Sequence, residues 1–251
     1  MFRLKALLFL NNSLVGKNPA NLSYCCRLTI ITLGYNKLIG SIPSEFVSLY
    51  KLKGLALHKN NLIVTIPHFL GNITSQEIVS LSANSFIGNI PDSLGHLKEL
   101  KNLVISGNNL SNAILSFIYN FCLLVIFSMS QNQIHGSLPP SLGLNFPNLI
   151  LFQTSQNFFS RSIAISLSNT LKLKHLQILK NNFFEKLSVN FESIKNHLVL
   201  NLRFSNLGTR DCDEMGFMNY LKYYLGNPRG GVNWDFKNYP KQTIQQSNLM
   251  P

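Results

Sequence analysis

Residues 35–43 read YNKLIGSIP. Turn formers and small polar residues dominate, with single apolar residues between them. Alone, the stretch looks like a loop. Yet NSFIGNIP at 84–91 and NQIHGSLP at 132–139 are close copies of it. Self-similarity at a fixed period points to a stacked-repeat architecture. With Asn36 as anchor, Leu28, Ile31 and Leu33 lie eight, five and three positions before it. Leu38, Gly40, Ile42 and Pro43 follow at plus two, four, six and seven. Steps of 24 from Asn36 reach Asn60, Asn84, Asn108 and Asn132 in the same frame. One extra residue enters near LGLNFPNL, and the frame resumes at Asn157 and Asn181. Ser205 holds the ninth slot, and a step backwards reaches Asn12. MFRLKALLFL is thus in repeat register through Leu4, Leu7 and Phe9, which explains it better than a stunted signal peptide does.

Each period predicts one short strand around its L-x-L, then a turn and a return path. Alternate strand residues face opposite ways, so the L-x-L side chains point inward and their neighbours outward. One coil cannot bury its apolar side alone, so the coils must stack. Parallel strands about 4.8 Å apart make nine coils roughly 40 Å long. The anchor asparagines Asn12, Asn36, Asn60, Asn84, Asn108, Asn132, Asn157 and Asn181 turn inward as a structural ladder. Their amides are expected to bond backbone groups of the turn and of the next coil. Gly40 permits a tight bend, and Pro43 fixes the outer turn without needing a donor. The array is expected over 1–208, followed by a tail at 209–251 with no repeat frame. The pattern decays at Asn18, Val64, Leu115, Arg161, Ala164, Glu185 and Ser188.

The consensus L-x-x-L-x-L-x-x-N-x-L-x-G-x-I-P resembles the leucine-rich repeat of the plant-specific subclass. The resemblance covers residues 1 to about 208. It implies an α/β fold: a right-handed leucine-rich repeat solenoid with a parallel strand face on the concave side. The wording of residues 11–62 is most similar to ectodomains of plant receptor-like Ser/Thr kinases of the elicitor-receptor group. That resemblance implies a recognition module for a peptide or protein ligand in defence or development signalling, with room for a co-receptor, at the outer face of the plasma membrane. No Gly-rich loop, catalytic lysine or H-R-D stands in the chain, so no kinase activity and no cofactor are expected. A secretion signal, a cysteine-flanked N-terminal cap and a membrane helix are not seen either, and a partial or truncated receptor sequence is the expectation. The alternatives are a soluble enzyme inhibitor of the polygalacturonase-inhibitor type and a non-functional truncated receptor.

Composition agrees with a folded, non-catalytic chain. Of 251 residues, 45% are hydrophobic and only 13% charged, which argues against disorder. The 22 Lys and Arg exceed the 10 Asp and Glu by 12, but they are scattered singly or in loose pairs. Nucleic-acid binding is not expected from that distribution; a surface that favours acidic partners is. The longest apolar run, FCLLVIF at 121–127, falls short of the ~20 residues of a membrane helix. The four cysteines include no C-x-x-C, and the histidines show no ligand spacing, so no metal site is expected.

The candidate site is the outward strand face, at six, four, two and one positions before each anchor. Its proposed ligand-binding residues are Tyr35, His58, Lys59, Gln131, Gln153, Gln156, His175, Gln177, Lys180 and Arg203. Together they read as a polar stripe, positive towards each end. Such a stripe suits an extended peptide with acidic side chains. N-x-S/T sequons mark Asn11, Asn21, Asn72 and Asn109 as candidate glycosylation sites. Asn21 and Asn72 are expected on the outer side of the coil, while Asn11 and Asn109 flank the ladder.

Overall fold

The computed structural model describes residues 3–113, 116–184 and 199–201. Arg203, Ser205, Leu115, Glu185, Ser188 and the tail from 209 lie outside them. Nine parallel strands form one sheet in chain order: Ala6–Leu8, Ile30–Thr32, Gly54–Ala56, Ile78–Ser80, Asn102–Val104, Ile126–Ser128, Leu151–Gln153, His175–Gln177 and Val199–Asn201. The register steps by 24 from Ala6↔Ile30 to Asn102↔Ile126. It steps by 25 once, at Ile126↔Leu151, where the extra residue enters. That residue turns the return path into a single α-helical turn, Leu142–Asn145. The neighbouring coils use five-residue 3-10 turns there, such as Asp92–His96. An α-turn takes 3.6 residues where a 3-10 turn takes 3.0, so the insertion is absorbed locally.

The inward leucines build one continuous core. Leu28, Leu52, Leu100, Leu124, Leu149 and Leu173, all eight before their anchors, are fully buried. Gln76 stands in the same slot, equally buried, and its side-chain amide finds no partner among the described residues. In the Asn157 coil, Thr154 takes an L-x-L slot and leaves its buried hydroxyl unpaired in the same sense. On the return side each 3-10 turn starts directly after a proline where one is present. Pro43 has φ −61° and ψ 135°, which is extended backbone, and its carbonyl accepts the Phe46 N–H. The fixed proline ring angle thus launches the turn at no conformational cost.

The asparagine ladder reaches backwards along the chain. Asn60 Oδ1 accepts the Leu38 N–H at 2.9 Å, and its Nδ2 donates to Leu33 O at 2.9 Å and Leu57 O at 3.0 Å. Asn36, Asn84, Asn108, Asn132, Asn157 and Asn181 repeat this pattern. Each rung therefore bonds its own turn and the preceding coil, whereas spacing alone pointed to the next one. Asn12 differs from the other rungs. Its side chain is exposed, and its amide donates to Leu10 O at 3.1 Å instead of bridging coils. Leu4 and Phe9 of the Asn12 coil remain 36% and 48% exposed.

A second set of short strands was not expected. Val15–Lys17, Lys37–Gly40 and Asn61–Leu62 form one small parallel sheet, Ile87–Gly88 and Asn109–Leu110 another, and His135–Ser137, Phe158–Arg161 and Asn182–Phe183 a third. They come from the x-L-x-G part of the repeat. Glycine bends them, with φ +80° at Gly40 and +76° at Gly88 at strand ends and +91° at Gly136 within His135–Ser137. Where glycine is replaced, the left-handed conformation persists: Val64 has φ 76° and Arg161 φ 64°. The bend belongs to the stacked array, so the substituted residue is forced into it.

Candidate functional site

The strand face carries four rows, set by the repeat. In the row six before the anchor, Ile30, Ile78, Ile126 and Leu151 are partly exposed, Ile30 by 40%, and the row is interrupted by Gly54 and Asn102 and ends in His175. The rows at four and two hold mostly small side chains through the middle of the array, with Val104 among them and the longer His58, Gln153 and Gln177 on either side. Ala56, Ser82, Ser106, Ser128 and Ser155 are all under a tenth exposed, so they form a floor. The row just before the anchor carries Tyr35, Lys59, Gln131, Gln156 and Lys180, of which all but Tyr35 are exposed. Every one of these five has a left-handed φ, between 52° and 57°. The face is therefore not a polar stripe throughout. An interrupted row of aliphatic side chains borders one side of a mostly small-residue floor, and hydrogen-bonding side chains, broken by Ala83 and Gly107, border the other. The aliphatic row was missed in the sequence, although reading the repeat at its first outward position exposes it directly.

Two clusters are built on this face. At the first, the Tyr35 and His58 rings meet edge-on at 5.4 Å between centroids. Lys59 Nζ donates to the Tyr35 hydroxyl at 2.9 Å and lies 4.2 Å from its ring centre. Gly34 makes room for this pair, since a Cβ there would sit 2.7 Å from the His58 ring. Burial, and then the Lys59 charge, hold the His58 pKa below its ordinary value of 6.5. The ring is therefore neutral near pH 7, and its Nδ1 lies 3.4 Å from the Ser80 hydroxyl.

The second cluster is a lateral chain across four coils. Ser106 Oγ and Ser128 Oγ share a hydrogen bond of 2.6 Å. The Ser128 hydroxyl then donates to Gln153 Oε1 at 2.8 Å, and Gln153 Nε2 donates to Gln177 Oε1 at 2.9 Å. Each amide is thus oriented by the one before it, and all donors point towards the C-terminal end. Gln131 and Gln156 stand beside this chain, each one residue before a rung, and His175 stands partly buried at the start of the Gln177 strand. Tyr35, His58 and Lys59 are therefore one cluster, Gln153 and Gln177 belong to another, and Lys180 stands alone on the rim between rungs.

No Asp or Glu occupies any of the four rows in the described coils. The nearest acid, Glu77, precedes Ile78 and is already engaged. It bonds Lys101 at 2.7 Å and Lys53 at 2.8 Å, tying three coils together. Hydrogen bonds from Lys101 and then Lys53 pull its carboxyl down to about 2. Among the described residues, no group of His, Cys, Asp or Glu is placed to hold a metal ion. No described helix is long and apolar enough to cross a membrane. The sequon residues Asn11, Asn21, Asn72 and Asn109 are all exposed. Asn21 and Asn72 lie in the 3-10 turns Ala20–Tyr24 and His68–Asn72, away from the strand face.

Solved structures with this geometry include leucine-rich repeat ectodomains from plants. The ectodomain of the membrane receptor kinase GASSHO1/SCHENGEN3 from Arabidopsis thaliana, in complex with Casparian strip integrity factor 2, superimposes with a TM-score of 0.78 at 27% identity, over 80% of this chain and 24% of that one. The plant peptide hormone receptor RGFR1, in complex with RGF2, gives 0.75 at 31% identity, over 81% of this chain and 32% of that one. The Arabidopsis receptor kinase HAESA, in complex with the peptide hormone IDA and the co-receptor SERK1, gives 0.75 at 29%, over 79% of this chain and 33% of that one. The chain has the leucine-rich repeat fold of plant receptor-kinase ectodomains. This leucine-rich repeat array spans about a quarter to a third of the length of those structures. No protein-family profile and no curated protein matches it.

Proposed function

We propose that the array is a non-catalytic recognition module that binds a peptide or protein on its strand face, in the manner of a plant receptor ectodomain. The observation that carries this reading is the face itself: oriented donors, a small-residue floor, and no acid. Open solenoid faces of this kind act by contact, and the resembling ectodomains are described with bound peptides. In this reading the module works outside the cell, and Asn21 and Asn72 accept sugar clear of the ligand. A co-receptor is a further partner in this reading, as SERK1 is in the HAESA complex.

The test begins with any peptide from plant extracellular fluid that binds the wild-type array. Changing Lys59, Gln153 and Lys180 together to Ala removes one rim donor, the centre of the amide chain and the second rim donor. Three such bonds contribute about 1 kcal/mol each, so affinity should fall by at least about thirtyfold by calorimetry. An unchanged affinity places the contact elsewhere and ends the reading.

A further inference from the structure

We infer that the strand face takes an extended peptide of about nine residues whose side chains alternate between apolar and acidic or other acceptor groups. The inference rests on the recognition reading above and adds the pattern that the ligand must carry. Three observations lead to it. The floor of Ala56, Ser82, Ser106, Ser128 and Ser155 is low and nearly fully covered, so it leaves room for a backbone and little for large side chains. Ile30, Ile78, Ile126 and Leu151, with Gly54 and Asn102 as gaps between them, border that floor on one side only. The opposite border holds the donors Lys59, Gln131, Gln156 and Lys180, with Ala83 and Gly107 leaving a gap between the first two.

A peptide lying along the solenoid axis, its pleat parallel to the floor, sends successive side chains to opposite borders. Apolar residues then meet the aliphatic row, and acceptors meet the donor row, at a period of two. Lys59 and Lys180 are five coils apart, or about 24 Å at about 4.8 Å per coil. An extended chain rises about 3.3 Å per residue, so about eight steps connect two residues on the same border, within the reach of flexible lysines. Nine residues with an acid at each end meet this condition. Glu77, fully engaged by Lys53 and Lys101, adds no repulsion to it.

The probes are fluorescent nine-residue peptides titrated by polarisation. One reads Glu-Leu-Ser-Leu-Ser-Leu-Ser-Leu-Glu. The second has the same composition with its leucines in one block, and the third has Lys in place of both Glu. The first should bind at least tenfold more tightly than either of the others. Ser106→Phe, which raises the floor, should weaken it at least tenfold while circular dichroism shows the array still folded at the assay temperature. Lys59→Glu with Lys180→Glu should reverse the preference towards the lysine-ended peptide, an outcome that misfolding cannot produce. Equal binding of the block isomer overturns the alternation. If that equal binding is lost when Lys59, Gln153 and Lys180 become Ala, the recognition reading survives alone. Absence of binding by all three peptides also overturns the inference and leaves the recognition reading to the extracellular-fluid test.

Discussion

Val64 shows what the array demands of one residue. A β-branched side chain at φ 76° crowds its own backbone, and Val64 is half exposed, so packing returns little. Val64→Gly should stabilise the protein by about 1 kcal/mol, since relief of left-handed strain exceeds the added freedom of the unfolded chain. Urea unfolding measures it as a raised midpoint with an unchanged slope. His58 makes a second residue-scale case. Its folded pKa lies below 6.5, burial being the larger cause and Lys59 the smaller. The unfolded chain therefore binds the proton more readily, and stability must rise with pH across that window. The His58 contribution is complete above about pH 6.5 and is lost as pH falls through the folded value. Titration by NMR should show Lys59→Ala raising the His58 pKa while leaving it below 6.5. A His58 that titrates at its ordinary value in the wild type contradicts this account.

The element that repeats is the rung, and its worth depends on the coil before it. Asn108 bonds the Phe86 N–H, Leu81 O and Ile105 O. Asn108→Ala leaves these buried groups unpaired and should cost about 3 kcal/mol in chemical denaturation. Asn12→Ala, at an exposed slot with one local bond, should cost under about 0.5 kcal/mol. Comparable losses at the two sites would separate the asparagine from the stacking. These rungs were legible in the sequence because residue type and spacing both mark them, as do the inward leucines and the inserted residue near Leu142. The second strands were not legible. They depend on backbone angles, and Tyr35, Lys59, Gln131 and Lys180 carry no mark of a left-handed φ as Gly40 does. Of the site, the polar members could be read one by one. Their partners could not, because Ser128 meets Gln153 only once the coil-to-coil register is in place. Gln76 was missed for a related reason: a polar residue in a leucine slot looks like a break in the pattern until its burial is seen.

At the scale of the whole molecule, the excess of 12 positive charges acts together with a face free of acids. Such a field steers an acidic partner towards the face before any contact forms. The association rate of the acid-ended nine-residue peptide should therefore fall severalfold between roughly 0.02 and 0.3 M salt, as the screening length shortens. Stopped-flow mixing separates this from dissociation, which should change much less. An association rate indifferent to salt would confine the charge to solubility. The backbone also constrains how this surface can change over time. Tyr35, Lys59, Gln131, Gln156 and Lys180 share one left-handed twist that every coil imposes on its rim. Valine, isoleucine, threonine and proline are poorly tolerated there, so new ligand preferences on that border must be drawn from unbranched or glycine-like replacements. The opposite aliphatic border lies in ordinary strand conformation and is free of that filter. Divergent copies of such an array should therefore drift fastest along the isoleucine side and hold a narrower vocabulary along the lysine and glutamine side.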